Sequence, residues 1–249
     1  LPLIVVASII VYWFVSKKDL SKYSYLIRAE VNGEKVAGTC FFIKKGGVVY
    51  FVTAKHLVSG CVGTVKKYNY AKEIEVDISG ADKPLKINCV PINDTIKCNA
   101  LDLYVAPIDK YYSNYVNTVE MFVDEVHKFG DITMWGYQPT DNNWGSPKKR
   151  QILEDNYNSS PVTNANTMQP LPFTTSANFT NNFTMQSMMG YSGCPVFVQD
   201  IDGIKLLGVH SMNHPPNSLY ITSCQYVETE AILNEIKNYE KNTNYSGTK

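Results

Sequence analysis

Apolar and polar positions alternate in short runs along most of the chain. Ser24-Tyr25-Leu26-Ile27-Arg28-Ala29-Glu30-Val31 precedes Asn32-Gly33, a dipeptide that favours tight hairpin turns because both residues tolerate positive φ. Val36 to Ile43 is a second β-prone run, Lys45-Gly46-Gly47 turns the chain, and Val48 to Thr53 is a third. Further strands are expected at Gly63–Val65, Glu73–Ile78, Leu85–Val90 and Leu101–Pro107. Strands this closely spaced predict a barrel or sandwich rather than alternating βαβ units. Beyond Lys110 the pattern loosens. Val126 to Tyr137 reads as strands, Asp141 to Pro147 as turn, and Gln151 to Asn182 as a polar stretch with few clear strands. Pro195–Val198, Ile204–Val209 and Ser218–Tyr226 are late strands. Ile232, Ile236 and Tyr239 then fall at i, i+4 and i+7, which predicts an amphipathic helix over Thr229 to Lys241.

The first fifteen residues break this pattern: Leu1 to Val15 carry no charge and show no polar face. A spanning helix needs roughly 20 apolar residues and a signal-peptide core roughly 7–15. Ser16-Lys17-Lys18-Asp19 offers no small-x-small cleavage pattern. The expectation is a membrane-anchor remnant and linker over residues 1–22, and a membrane-anchored or secreted protein. The side of the membrane stays open, and a buried strand or helix is the alternative.

Composition narrows the classes. Lys plus Arg number 23 and Asp plus Glu 23, for a formal net charge of +0, so nothing favours a nucleic-acid partner. Hydrophobic content of 44% is enough for a sizeable core. Of the 6 cysteines, Cys40 and Cys61 bracket His56, and Cys89 and Cys98 bracket a polar loop. Both spacings suit disulfides across neighbouring strands, and reduced, buried thiols suit them equally. His210 and His214 are four apart, but Pro215-Pro216 follows and no acidic or thiol ligands accompany them. No metal and no cofactor are expected.

Three segments carry residue types suited to catalysis: Phe51-Val52-Thr53-Ala54-Lys55-His56, Ala100-Leu101-Asp102-Leu103-Tyr104-Val105, and Gly190-Tyr191-Ser192-Gly193-Cys194-Pro195-Val196-Phe197. A serine hydroxyl is a weak nucleophile near neutrality and needs a base within hydrogen-bond reach. A histidine can take that proton and return it, and a carboxylate can fix the histidine tautomer. The order His, Asp, Ser and the surrounding words resemble the trypsin/chymotrypsin-like serine peptidase superfamily, in its simple trypsin-like peptidase branch. Gly38-Thr39-Cys40-Phe41-Phe42-Ile43, Trp135-Gly136-Tyr137-Gln138-Pro139 and Leu206-Leu207-Gly208-Val209-His210-Ser211 resemble further strands of that family. The likeness runs from about Tyr25 to Tyr239.

The resemblance implies an all-β fold of two six-stranded antiparallel β-barrels with a C-terminal α-helix. Residues 23–118 would form the first barrel with His56 and Asp102, residues 119–241 the second with Ser192 plus the helix, and residues 242–249 a tail. It implies a serine endopeptidase acting on polypeptides, with Gly190 and Ser192 N–H groups as the oxyanion hole. Ser211 would support Asp102, and Met212 and Asn213 would lie on the edge strand that pairs with substrate. Gln186 stands at the pocket floor in place of an aspartate, which disfavours Lys or Arg at P1. Ser187 and His210 match pocket positions of glutamyl endopeptidases and viral 3C-like proteases, which points to Glu or Gln at P1. Lys55, Tyr191 and Cys194 depart from the family words, but none removes a catalytic atom. Two other readings stay open: a viral polyprotein-processing protease, and a silent pseudoprotease that binds peptides.

Overall fold

The structure is a computed structural model of the 249-residue chain. It describes residues 19–31, 33–61, 68–88, 101–122, 129–140, 143–163, 168–184, 189–200, 203–214 and 220–246. The apolar segment Leu1–Val15, the expected strand at 63–65, Cys89, Cys98, Gln186 and Ser187 lie outside these residues.

The first half contains β1 (Tyr25–Val31), β2 (Glu34–Lys45), β3 (Val48–Thr53), β4 (Ser59–Cys61), β5 (Tyr68–Tyr70), β6 (Glu73–Val76), β7 (Leu85–Asn88), β8 (Tyr104–Pro107) and β9 (Thr118–Val119). Glycine turns set the two N-terminal hairpins. Val31 pairs with Glu34 around Gly33 at φ 82°, and Lys45 pairs with Val48 around Gly46 and Gly47 at φ 57° and 82°. In the second turn both central residues lie at positive φ, which matches the twist of the flanking strands, and glycine reaches that region without a Cβ clash. The resulting sheet has seven strands in the order β7-β6-β1-β2-β3-β8, with β9 added on β2. β9 runs parallel, placing Thr118 opposite Phe42. Among the described residues the ends β7 and β8 are not paired to each other. β4 and β5 form a separate two-stranded sheet.

The second half is a closed six-stranded barrel, ordered β10-β11-β12-β15-β14-β13. Its strands are β10 (Phe129–Thr140), β11 (Asn143–Thr163), β12 (Pro170–Thr184), β13 (Pro195–Asp200), β14 (Gly203–His214) and β15 (Tyr220–Glu228). β11 and β12 occupy the stretch expected to hold few strands. Their polar residues find partners across the sheet: Asn178 Nδ2 donates to Ser160 Oγ at 3.1 Å, and the Thr175 hydroxyl donates to Glu228. Such polar cross-strand pairs stabilise a sheet without the apolar alternation that marks a strand in sequence.

β2 and β3 are apolar on both faces because both faces are buried. Cys40, Phe42, Val49 and Phe51 point into the core of the first sheet, with Ile27, Ile74, Leu85 and Tyr104. Phe41, Ile43, Tyr50 and Val52 point the other way, into a seam shared with Phe197, Leu206, Val209 and Val227 of the barrel. The seam is closed by the single described α-helix, α1 (Thr229–Ser246), through Ala231, Ile232 and Ile236. α1 runs beyond Lys241, where the amphipathic pattern fades. Tyr239 stays half exposed, but its ring meets Tyr50 edge-on at 6.2 Å, and the Tyr50 hydroxyl donates to Glu240 at 3.3 Å.

The seam also takes in Leu20, from the segment expected as linker, and Tyr23 just after it. Leu20–Tyr23 form a 3₁₀ turn capped by Asp19, which accepts from the Ser21 amide at 3.0 Å. Leu20 is buried in the seam and Tyr23 lies 5.9 Å from the Phe197 ring. No helix among the described residues is long and apolar enough to cross a membrane. Cys40, Cys194 and Cys224 are free, buried thiols. A Cys40–Cys61 bridge is therefore not formed: the Cys40 side chain is directed into the first core, packed between Tyr25 and Phe42 neighbours.

Ile232 is fully buried where sheet, barrel and helix meet. Ile232→Ala leaves a cavity there and should cost about 2–5 kcal/mol of stability, read as a lower midpoint in urea denaturation.

Candidate active site

β3 ends at Thr53, and the chain passes through Ala54 into a 3₁₀ turn, Lys55–Leu57, with His56 at its centre. The turn is closed by Val58 N–H to the Lys55 carbonyl at 3.0 Å and by the Ser59 hydroxyl to the same oxygen at 3.0 Å. β8 pairs antiparallel with β3, with Thr53 opposite Tyr104. Running that register back beyond Tyr104 brings Asp102 beside the His56 turn. Asp102 Oδ1 accepts from the His56 backbone N–H at 2.8 Å, and Asp102 Oδ2 meets His56 Nδ1 at 2.7 Å. The neutral ring then carries its proton on Nδ1 and offers Nε2 as acceptor.

The remaining parts come from the second barrel. The turn before β13 carries Gly190 at φ 85° and Gly193 at φ 82°, flanking Tyr191 and Ser192. Gly193 combines positive φ with close approach: a Cβ there would lie 2.1 Å from the Thr39 carbonyl oxygen and 2.2 Å from Thr53 Oγ1. Tyr191 is buried, its ring so near Gly136 that a Cβ on that glycine would sit 2.7 Å from it. Backbone bonds fix the turn. Gly193 N–H donates to the His210 carbonyl at 2.8 Å, Cys194 N–H to Tyr191 at 2.8 Å, and Thr39 N–H to Ser192 at 3.0 Å. On β14, the Ser211 hydroxyl donates to Asp102 Oδ2 at 2.5 Å. The Ser192 hydroxyl donates to the Ser211 carbonyl at 3.4 Å.

The electrostatics follow from these contacts. Burial disfavours charge on His56, but the hydrogen bond and negative charge of Asp102 outweigh it and raise the His56 pKa above its usual value. Burial likewise pushes Asp102 up. His56, the Ser211 hydroxyl and the His56 amide together outweigh that and hold the carboxyl below its usual range. Lys55 is nearly buried and its pKa is lowered by desolvation, opposed by the charges of Asp102 and of Glu235 on α1. Burial pushes the Cys224 thiol up to about 12 and Cys194 well above its ordinary value, so neither is a thiolate nucleophile near neutrality.

No protein-family model matches the sequence, and no curated protein does. Solved structures do match its fold. The protease Anisep from Arthrobacter nicotinovorans superposes with a TM-score of 0.56 at 16% identity, covering 84% of this chain and 91% of that one. The thermostable serine protease AL20 from an extremophilic microorganism gives 0.55 at 11% identity, covering 86% and 95%. A serine endoprotease from Yersinia pestis gives 0.52 at 15% identity, covering 88% of this chain and 62% of that one. The chain has the chymotrypsin-like fold.

Within the chymotrypsin-like fold, hydrogen bonds link His56 to Asp102, Asp102 to Ser211 and Ser211 to Ser192. Gly190 lies on the same turn as Ser192. His210 is buried on β14, its N–H donating to the Cys194 carbonyl at 2.9 Å, directly behind that turn. Met212 is half exposed on β14, and Asn213 belongs to the same strand. Gln186 and Ser187 lie outside the described residues. Among the described residues no group of three or more His, Cys, Asp or Glu is placed to hold a metal. Pattern reading passes over Thr39, whose hydroxyl bonds to Gly190 and Tyr137 of the second half, and Thr53, whose hydroxyl bonds to the Thr39 carbonyl. The Gly38-Thr39 pair beside an apolar run was the one available signal.

A carboxyl whose folded pKa is depressed stabilises the fold fully above its unfolded value of about 3.9, and that contribution vanishes as pH falls through the folded value. Asp102→Asn should therefore lower stability near neutrality, and the gap to wild type should close on acidification. Urea titrations at a series of pH values read this directly, and a pH-independent gap would refute it.

Proposed function

We propose that the chain is a serine endopeptidase that cleaves polypeptides through Ser192, His56 and Asp102. The observation that carries this is Ser211. Its hydroxyl donates to the Asp102 carboxylate while its carbonyl accepts from Ser192, so one residue of the barrel ties the acid of the first sheet to the serine of the second. In the proposed reaction Ser192 Oγ attacks the scissile carbonyl carbon as its proton passes to His56 Nε2. Asp102 stabilises the imidazolium. That imidazolium protonates the leaving amine as the C–N bond breaks, and water hydrolyses the acyl-enzyme by the same route reversed. The N–H groups of Gly190 and Ser192 serve as oxyanion donors, each worth about a hundred- to a thousandfold in rate.

Substrate recognition is read from β14. β13 pairs with it only as far as Val209, while β15 follows it to His214. Ser211 to Asn213 therefore lie beyond β13, where an extended peptide adds as a further strand. His210, buried behind the nucleophile turn, supports a preference for Glu or Gln at P1 as a donor to a side-chain oxygen. The apolar Leu1–Val15 segment supports a membrane-tethered enzyme.

Fluorophosphonate labelling tests the reading. Wild type should label and cleave peptides, and Ser192→Ala should lose labelling and at least about a thousandfold in kcat/KM. Folded wild type that neither labels nor cleaves is a pseudoprotease. The acid limb of kcat/KM should have its midpoint above the ordinary histidine value of about 6.5, because His56 must be neutral to act as base. In a peptide library, cleavage dominated by basic or aromatic P1 residues would sink the Glu/Gln preference.

A further inference from the structure

Thr39 sits fully buried on β2, where the first sheet meets the nucleophile turn. Each of its polar groups is committed. Its N–H donates to the Ser192 carbonyl at 3.0 Å. Its carbonyl accepts from Thr53 Oγ1 at 2.8 Å. Its hydroxyl accepts from the Tyr137 backbone N–H at 3.0 Å and donates to the Gly190 carbonyl at 2.8 Å. Because the Tyr137 amide brings its own hydrogen to this oxygen, the hydroxyl proton is directed to Gly190.

These bonds fall on successive peptide planes of the turn. The 192–193 plane is held by Thr39 N–H and by His210. The 191–192 plane, which carries the Ser192 N–H, is held by Cys194 N–H on the Tyr191 carbonyl. The 190–191 plane is held by the Thr39 hydroxyl. Gly190 is the pivot before it: at φ 85° and without a Cβ, it rotates at little steric cost. Its own N–H, the proposed oxyanion donor, swings with that rotation. The bond to the Gly190 carbonyl fixes the 190–191 side of that pivot, while the N–H lies on the 189–190 side and is set from it by the Gly190 φ and ψ.

We propose that Thr39 is a positioning residue for the oxyanion hole, its hydroxyl fixing the 190–191 plane from which the Gly190 N–H is aimed before substrate arrives. This rests on the serine-endopeptidase reading and extends it to a residue of the opposite half of the molecule. A preorganised donor costs no reorganisation in the transition state, and a donor left to rotate loses that advantage. The effect belongs on kcat, since the oxyanion forms only after binding.

The test compares Thr39→Val, which keeps shape and backbone bonds but lacks the hydroxyl, with Thr39→Ser, which keeps the hydroxyl. Thr39→Val should lower kcat roughly ten- to a hundredfold with KM within about threefold, the ceiling being the loss of one oxyanion donor. A peptidyl boronic acid, which mimics the tetrahedral species, should weaken by a similar factor, whereas a product peptide should not. Thr39→Ser should stay within about threefold of wild type. If Thr39→Val does not fold, Thr39→Ala, which adds no methyl group against the Gly190 carbonyl, serves in its place. Unchanged kcat in a folded hydroxyl-free variant overturns the inference. So does a loss in Thr39→Ser equal to that in Thr39→Val, or equal weakening of boronate and product. A wild type that neither labels nor cleaves overturns the underlying enzyme reading, and an active wild type with an unaffected Thr39→Val overturns this inference alone.

Discussion

Gly193 packs against Thr39 and Thr53 at a distance that no other residue permits, and the site depends on that contact. A side chain there would place its first carbon 2.1 Å from a backbone oxygen, inside any van der Waals limit. The close approach lets the Thr39 amide reach the Ser192 carbonyl, and the seam of Phe41, Ile43, Phe197 and Ile232 holds the two halves at that spacing. His56 and Asp102 are delivered by one half and Ser192 by the other. A shift of an ångström between them would break the Ser211 bridge, which already spans 2.5 Å to Asp102 and 3.4 Å from Ser192.

The largely buried carboxylate of Asp102 is costly to place, and its surroundings answer that cost locally. A carboxylate out of water needs donors on its lone pairs. Asp102 receives the His56 amide and ring and the Ser211 hydroxyl. The groups that stabilise the charge also orient the histidine, so a neutral Nε2 faces away from the acid. Lys55 adds a nearly buried cation that feels the charges of both Asp102 and Glu235 of α1. The C-terminal helix is thereby linked to the site by charge as well as by its apolar stripe.

Legibility in the sequence followed the physics of each element. The β1–β2 and β2–β3 hairpins were readable because their turns need glycine, and α1 because Ile232 and Ile236 repeat at helical spacing. β11 and β12 were obscured because Asn, Ser and Thr pair with each other across strands instead of alternating with apolar residues. Leu20 looked like linker beside Lys17, Lys18 and Lys22, and only the seam reveals it as core. The parallel strand β9 left no local trace, since two residues carry no period.

The sequence by itself determined a β-rich chain with a terminal helix, and the words around His56, Asp102 and Ser192 marked where chemistry would sit. Those words are local: a turn that exposes a histidine, an acid ahead of a strand, a serine between glycines that bend the backbone. Only the tertiary structure decided that Asp102 meets His56, that Ser211 joins Asp102 to Ser192, and that Thr39 grips the turn from the opposite half. Residues distant in sequence are brought within hydrogen-bond range by strand register and seam packing, which depend on many side chains at once and leave no signature at any single position.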